Sequence, residues 1–240
     1  MHTVKELLCY YFKNCKLCGK PYGKYKKQEY GYICDECLND INNARIKHRM
    51  SFAMPLVLND KSRIDVYSIF RYEEEAKDAL YAFKVNTKRS FALLFSFFLK
   101  DSLKKWGINS RDSVFIPVPA SVKGKRDRGY DQVMEVLISS SLEVWDVVEH
   151  ANKTAVMQKK LSREDRVLAV KGKYRIATDQ LKELLNDRLK RGQLKIIIID
   201  DVFTTGSSIR EVSSLVKECI GTLPNVEIIG VSLFRDEQPL

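Results

Sequence analysis

The stretch that most constrains this chain begins at Lys195 and reads Ile196, Ile197, Ile198, Ile199, Asp200, Asp201, Val202, Phe203, Thr204, Thr205, Gly206, Ser207, Ser208. Successive side chains of a strand point to opposite faces, so four isoleucines in a row require apolar cover on both sides. That is the signature of the centre of a parallel sheet. Parallel neighbours need a crossover, usually a helix. Ser208 to Glu218 offers one, with Ile209, Val212, Leu215 and Val216 on a single stripe. Further strands are expected at Arg63–Arg71, Val114–Val118, Val144–Glu149 and Val226–Phe234. A short basic helix is expected at Asn39–Arg49, and Ser51 to Pro55 reads as a linker. Further helices are expected at Glu73–Lys84, Arg89–Trp106 and Tyr130–Ser140, and Phe91, Leu94, Phe95, Phe98 and Leu99 form a core-facing stripe. The alternation predicts an α/β fold with a doubly wound parallel sheet flanked by helices.

The residues after the isoleucines carry chemistry. A loop running into a helix N-terminus presents free backbone N–H groups and the positive end of the helix dipole, and the hydroxyls of Thr204, Thr205 and Ser207 complete an anion cradle. Carboxylates beside such a cradle would repel a phosphate unless they hold something else. Ribose hydroxyls are neutral donors that a carboxylate can accept. Two other readings stay open for the acid pair, the metal pocket of a signalling receiver and the acidic end of a Walker B strand. The second needs a Walker A loop, and the nearest spacing, Gly124 to Gly129, continues with Tyr130 and Asp131. Taken together, the two acids, Thr-Thr-Gly-Ser and helix resemble the phosphoribosyl pyrophosphate (PRPP) loop of type I phosphoribosyltransferases. On that resemblance Asp200 and Asp201 hold ribose, while Phe203, Thr204, Thr205, Gly206 and Ser207 hold the 5-phosphate.

Four of the six cysteines are ordered as Cys15-x-x-Cys18 and Cys34-x-x-Cys37, with fifteen residues between the pairs. Two such knuckles fit a tetrahedral zinc site, and the metal would supply stability that so short a segment cannot draw from apolar burial. The plainer readings are coincidence or a redox motif. Cys9 and Cys219 read as small apolar residues, and the three histidines (His2, His48, His150) are too scattered to suggest a triad or a histidine metal site.

The 240 residues carry 41 Lys+Arg against 31 Asp+Glu, a formal +10. A polyanionic ligand or partner is expected from that balance. Four thiolates on a zinc ion would take back about two of these charges. Lys13, Lys16, Lys20, Lys24, Lys26 and Lys27 interleave with Tyr22, Tyr25, Tyr30 and Tyr32, a composition suited to single-stranded DNA or to a solvated loop over the knuckles. The apolar run Phe91 to Leu99 is far short of a membrane span. Met1 to Glu6 lacks the apolar core of an export signal, so a cytoplasmic location is expected.

Ile116-Pro117-Val118-Pro119 with Arg126-x-Arg128-Gly129-Tyr130-Asp131-Gln132 is similar to the VPVP…RxxRGxxQ signature of the ComF (ComFC) competence-protein family. Thr154, Gln158, Leu161-Ser162, Arg166 and Val170-Lys171-Gly172 match its next stretch, and the four-cysteine module fits as well. Asp131 stands where the family usually has Asn, and a helical stretch from Asp179 to Arg191 looks inserted. The resemblance implies a zinc-binding module over residues 1–50 and a type I phosphoribosyltransferase-like domain over 51–240. It implies a pyrophosphate loop at Ala120, Ser121, Arg126, Arg128 and Gly129, and a closing segment carrying Gln158, Lys159, Arg163 and Arg166. The implied ligand is PRPP with Mg²⁺, in a protein of DNA uptake. The alternative is a non-catalytic module on the same fold that binds single-stranded DNA or a competence helicase.

Overall fold

The structure is a computed structural model that describes residues 14–15, 17–20, 33–46, 53–72, 74–84, 91–151 and 172–236. Its elements in chain order are α1 (Asp35–Asn43), β1 (Ala53–Val57), β2 (Arg63–Arg71), α2 (Glu74–Lys84), α3 (Phe91–Lys105), β3 (Ser113–Pro117), α4 (Val122–Arg128) and α5 (Gln132–Ser140). Then come β4 (Val148–His150), β5 (Tyr174–Ile176), α6 (Thr178–Leu189), β6 (Leu194–Phe203), α7 (Ser207–Ile220) and β7 (Val226–Arg235).

Five strands form the main sheet in the order β1-β2-β7-β6-β3. All neighbours are parallel except β1, which runs antiparallel to β2 at the edge. The isoleucine strand sits between β7 and β3, and Ile196, Ile197, Ile198 and Ile199 are fully buried. Ile197 and Ile199 join the core containing Phe70, Phe95 and Leu137, whereas Ile196 and Ile198 join the core containing Ile209 and Val212. Each face of one strand therefore nucleates a separate apolar layer, as a doubly covered sheet requires. Gly230 in β7 permits the second layer to close, because a Cβ there would lie 2.8 Å from Val66 and 3.0 Å from Ile209.

Several expectations are corrected. The segment before Pro55 is not a linker: Ala53–Val57 is the antiparallel edge strand, where a proline costs no ladder bond on its outer side. The N-terminal helix begins at Asp35, earlier than the Asn39 start its basic end suggested, because Cys34 caps it by accepting from Cys37 N. Val144–Glu149 does not form one strand of the main sheet. Val144 makes a single parallel bridge to Phe115, and the chain then turns so that Val148–His150 pairs antiparallel with β5. The basic run Lys123–Arg128 is a short helix rather than a loop, closed by Gly129 at φ +77°. The helical stretch expected at Asp179–Arg191, by contrast, forms as α6.

The cysteine segment packs on the first layer. Cys15, Ile33, Cys37 and Ile41 belong to the same apolar cluster as Phe70 and Phe95. Arg45 bridges to Phe70, pairs with Asp101 at 2.7 Å, donates to Ser102 Oγ at 2.9 Å and lies over the Phe98 ring. Among the described residues no helix is long and apolar enough to cross a membrane.

Candidate functional site

β6 outlasts its isoleucines and carries Asp200 and Asp201 to the carboxyl end of the sheet, ending at Phe203. Both acids are half-buried, and Asp200 Oδ1 accepts the amide of Asp201 at 2.8 Å. Phe203 is buried, pairs in register with Arg235, and its carbonyl accepts from Asp236 N. Thr204 and Thr205 are exposed, and Gly206 then caps α7 with φ +69°. Gly206 has no side chain with which to cap that helix end, so the first-turn N–H groups beside exposed Ser207 depend on other partners. Gly206 is forced twice. Its φ is left-handed, and a Cβ would lie 2.6 Å from the Phe203 ring.

The second expected loop leaves β3, the parallel neighbour of β6, so both loops emerge from the same edge of adjacent strands. Ligands of open α/β sheets bind at that edge. Val118 N still donates to Ile199 O, which ties the loop's start to β6. Ser121 is spent as the cap of α4, accepting from Gly124 N at 3.1 Å. The Ala120 amide is taken as well, because it donates to Asp131 Oδ2 at 3.0 Å while Oδ1 caps α5 by accepting from Met134 N. That double use explains a carboxylate at position 131. Arg126 extends into solvent, with a side chain 78% exposed. Arg128 folds back over Gly124, where its guanidinium nitrogens fill the space a Cβ would need. Gln158, Lys159, Arg163 and Arg166 lie outside the described residues, as do the lysines and tyrosines between Lys20 and Ile33.

Four residues that sequence reasoning left without a role stand around this edge. Tyr174 in β5 is buried, and its hydroxyl donates to Ser208 Oγ at 3.3 Å. Burial raises that hydroxyl above its usual value; the Ser208 bond opposes the rise, and the charges of Asp200, Glu211 and Asp201 add to it. Glu211, one helical turn beyond Ser207, accepts from the amides of Lys173 and Tyr174. His150 lies opposite Tyr174 in the β4–β5 pair, with ring centroids 5.1 Å apart. Ser208 and Glu211 could have been found from helical spacing after the acids; nothing local marks Tyr174 or His150.

In the N-terminal segment the sulfurs of Cys15, Cys18, Cys34 and Cys37 all lie within 4.8 Å of one another. The Cys18–Cys34 separation is 3.8 Å. A tetrahedron of sulfurs about 2.3 Å from a zinc ion has edges of about 3.8 Å, so the spacing fits. Burial pushes the Cys15 thiol up, but amide donors from Cys34, Cys18 and Leu17 outweigh it and bring the pKa down to about 7. Burial pushes Cys34 up against the opposing Cys37 amide and thiol, and pushes Cys37 up with the Cys34 and Cys18 thiols adding to it. A dication would resolve that crowding by drawing all four to thiolates. The cluster could therefore hold a metal ion.

Over 154 residues the chain is 27% identical to "Competence protein ComFC" of Streptococcus pneumoniae (strain ATCC BAA-255 / R6), covering 63% of this chain and 61% of that protein. That likeness joins a mostly parallel sheet and a four-cysteine cluster. The chain is similar to that competence protein. It spans about three fifths of the length of the curated relative it matches. No family model matches the chain. It also aligns with the crystal structure of an adenine phosphoribosyltransferase over 84% of its own length and 90% of the other, at 11% identity and a TM-score of 0.38, too distant to carry function.

Proposed function

We propose that this ComF-like protein binds Mg-PRPP, or a related phosphoribosyl ligand, at the carboxyl edge of its parallel sheet, and that it serves DNA uptake. The observation that carries the reading is the β6–α7 junction. Two half-buried acids there precede exposed threonines and a helix N-terminus capped by a left-handed glycine, which has no side chain to offer. Asp200 and Asp201 would accept the ribose hydroxyls, and the amides and hydroxyls from Thr204 to Ser207 would hold the 5-phosphate. Arg126 and Arg128 would meet the pyrophosphate, with Gln158, Lys159, Arg163 and Arg166 adding amide and cationic contacts. Mg²⁺, when bound with PRPP, supplies charge neutralisation at the pyrophosphate. Any transfer at C1 of the ribose would rest on electrostatic stabilisation of the departing pyrophosphate. The competence role draws on the name of the pneumococcal relative alone.

Calorimetry with Mg-PRPP tests the site. The wild type should release binding heat that Asp200→Asn with Asp201→Asn removes, and unchanged heats would overturn the assignment. The four cysteines would hold zinc, with residues 1–50 as a module beside a domain over 51–240. A second reading, single-stranded DNA or helicase binding without turnover, draws on the exposed cations Lys123, Lys125 and Arg126 of α4. It expects a steep log–log salt dependence of oligonucleotide affinity, and a flat slope would remove it.

A further inference from the structure

Two consecutive carbonyls of the loop after β3, those of Pro119 and Ala120, converge on one donor. His150 Nε2 lies 3.1 Å from the first and 2.9 Å from the second. Both partners are acceptors only, so Nε2 carries the proton. Successive carbonyls of extended backbone point in opposite directions; turning two toward one point brings their negative ends together, and the shared N–H offsets that repulsion. The Ala120 amide is meanwhile held by Asp131 Oδ2 at 3.0 Å. The loop is thus gripped through both polar groups of Ala120.

The grip continues across the site. His150 is the register partner of Tyr174, and their rings touch. Tyr174 donates its hydroxyl to Ser208 Oγ and its amide to Glu211, both on α7. One connected brace therefore runs from the Pro119–Ala120 carbonyls through His150 and Tyr174 to the first turns of α7. It spans the two loops that a ligand with a phosphate at each end would have to bridge.

We propose that His150, with Tyr174, is a positioning residue that sets the spacing of these two loops and so selects ligands that engage both. The inference rests on the phosphoribosyl reading above. A ligand held by the β6–α7 cradle alone, such as ribose 5-phosphate, should be indifferent to the brace, whereas Mg-PRPP, reaching both loops, should feel it.

The test titrates Mg-PRPP and ribose 5-phosphate into the wild-type full chain and into His150→Ala, His150→Gln and Tyr174→Phe, with thermal melts on each. His150→Ala should weaken Mg-PRPP about tenfold, the scale of one lost hydrogen-bonding group, and leave ribose 5-phosphate within about twofold. His150→Gln, whose amide N–H can reach the same carbonyls, should recover most of the loss. Tyr174→Phe, which keeps the ring and loses the Ser208 bond, should reduce the preference for Mg-PRPP by about threefold. If His150→Ala does not fold, His150→Gln and Tyr174→Phe carry the comparison. Equal weakening of both ligands, or unchanged selectivity in every variant, overturns the inference while the phosphoribosyl reading survives. A wild type that binds neither ligand overturns both.

Discussion

The Glu211 carboxylate stands in the space that a side chain on Gly172 would need: a Cβ built there would lie 2.6 Å from Glu211 Cδ. The same carboxylate accepts the amides of Lys173 and Tyr174. Gly172 is thus fixed by a residue 39 positions away (211 − 172) on α7, and its own φ is not left-handed.

This pairing makes a non-additive prediction. Gly172→Ala should push the Glu211 carboxylate off the Lys173 and Tyr174 amides and destabilise by about 1–2 kcal/mol through those bonds. Glu211→Ala should also destabilise, since it orphans two amides, by about 1–2 kcal/mol. The double variant should lose less than the sum, because removing the carboxylate makes room for the methyl. Urea denaturation of the four proteins measures the coupling; strict additivity would contradict it.

At Gly206 two penalties stack. Gly206→Ala meets both a φ of +69° and the Phe203 ring, and the strain alone is worth about 1–3 kcal/mol. Phe203→Leu in the same chain should relieve the collision and leave the backbone strain. Melting temperatures should therefore recover only in part, and full recovery would mean that φ is not the constraint.

Arg45 and Asp101 tie the cysteine segment to α3. Burial pushes the Asp101 carboxyl up, but Lys105 and Arg45 outweigh it and hold it below its ordinary 3.8. A carboxyl depressed in the folded state contributes stability that is present above the ordinary value. That stability is lost as pH falls through the lowered one. The melting temperature should therefore drop below about pH 4 in the wild type, and part of that drop should be missing in Asp101→Asn. Arg45→Ala, which also leaves Ser102 Oγ and the Phe98 face, should cost roughly 2 kcal/mol at neutral pH. Identical acid profiles for wild type and Asp101→Asn would refute the assignment.

Metal analysis of the purified protein should find about one zinc per chain, and none after Cys34→Ser with Cys37→Ser. Because Cys15 and Cys37 lie in the same apolar cluster as Phe70 and Phe95, chelation should lower the melting temperature of the whole protein. A metal-free chain that melts unchanged would show that the four sulfurs are a bystander.

Much of the fold around this edge is legible in the sequence for a local reason. Buried strands, amphipathic helices, CxxC knuckles and an acid pair running into a Thr-Thr-Gly-Ser loop are patterns over fewer than about 20 residues. The isoleucine strand, β2, β7 and α7 accordingly appear close to where the sequence places them. Local pattern failed where a longer-range partner competed. Val144–Glu149 reads as one strand, yet Val144 is claimed by Phe115 and Val148 by Ile176. Ser51–Pro55 reads as a linker, yet β2 offers an open edge and Ala53–Val57 takes it.

By itself, then, the sequence determined the covering of the central strand, the two CxxC knuckles and the residue types at the carboxyl edge, since each follows from side-chain period or from near neighbours in the chain. Only the tertiary structure decided that β6 would lie between β7 and β3 and that the cysteine segment would share a core with α3. It alone brought His150 against the carbonyls of Pro119 and Ala120, and Glu211 against Gly172. Those contacts join residues some 30 to 40 positions apart, and no local periodicity encodes them. They are selected by how two apolar layers close on one sheet and by which buried polar groups can then find a partner.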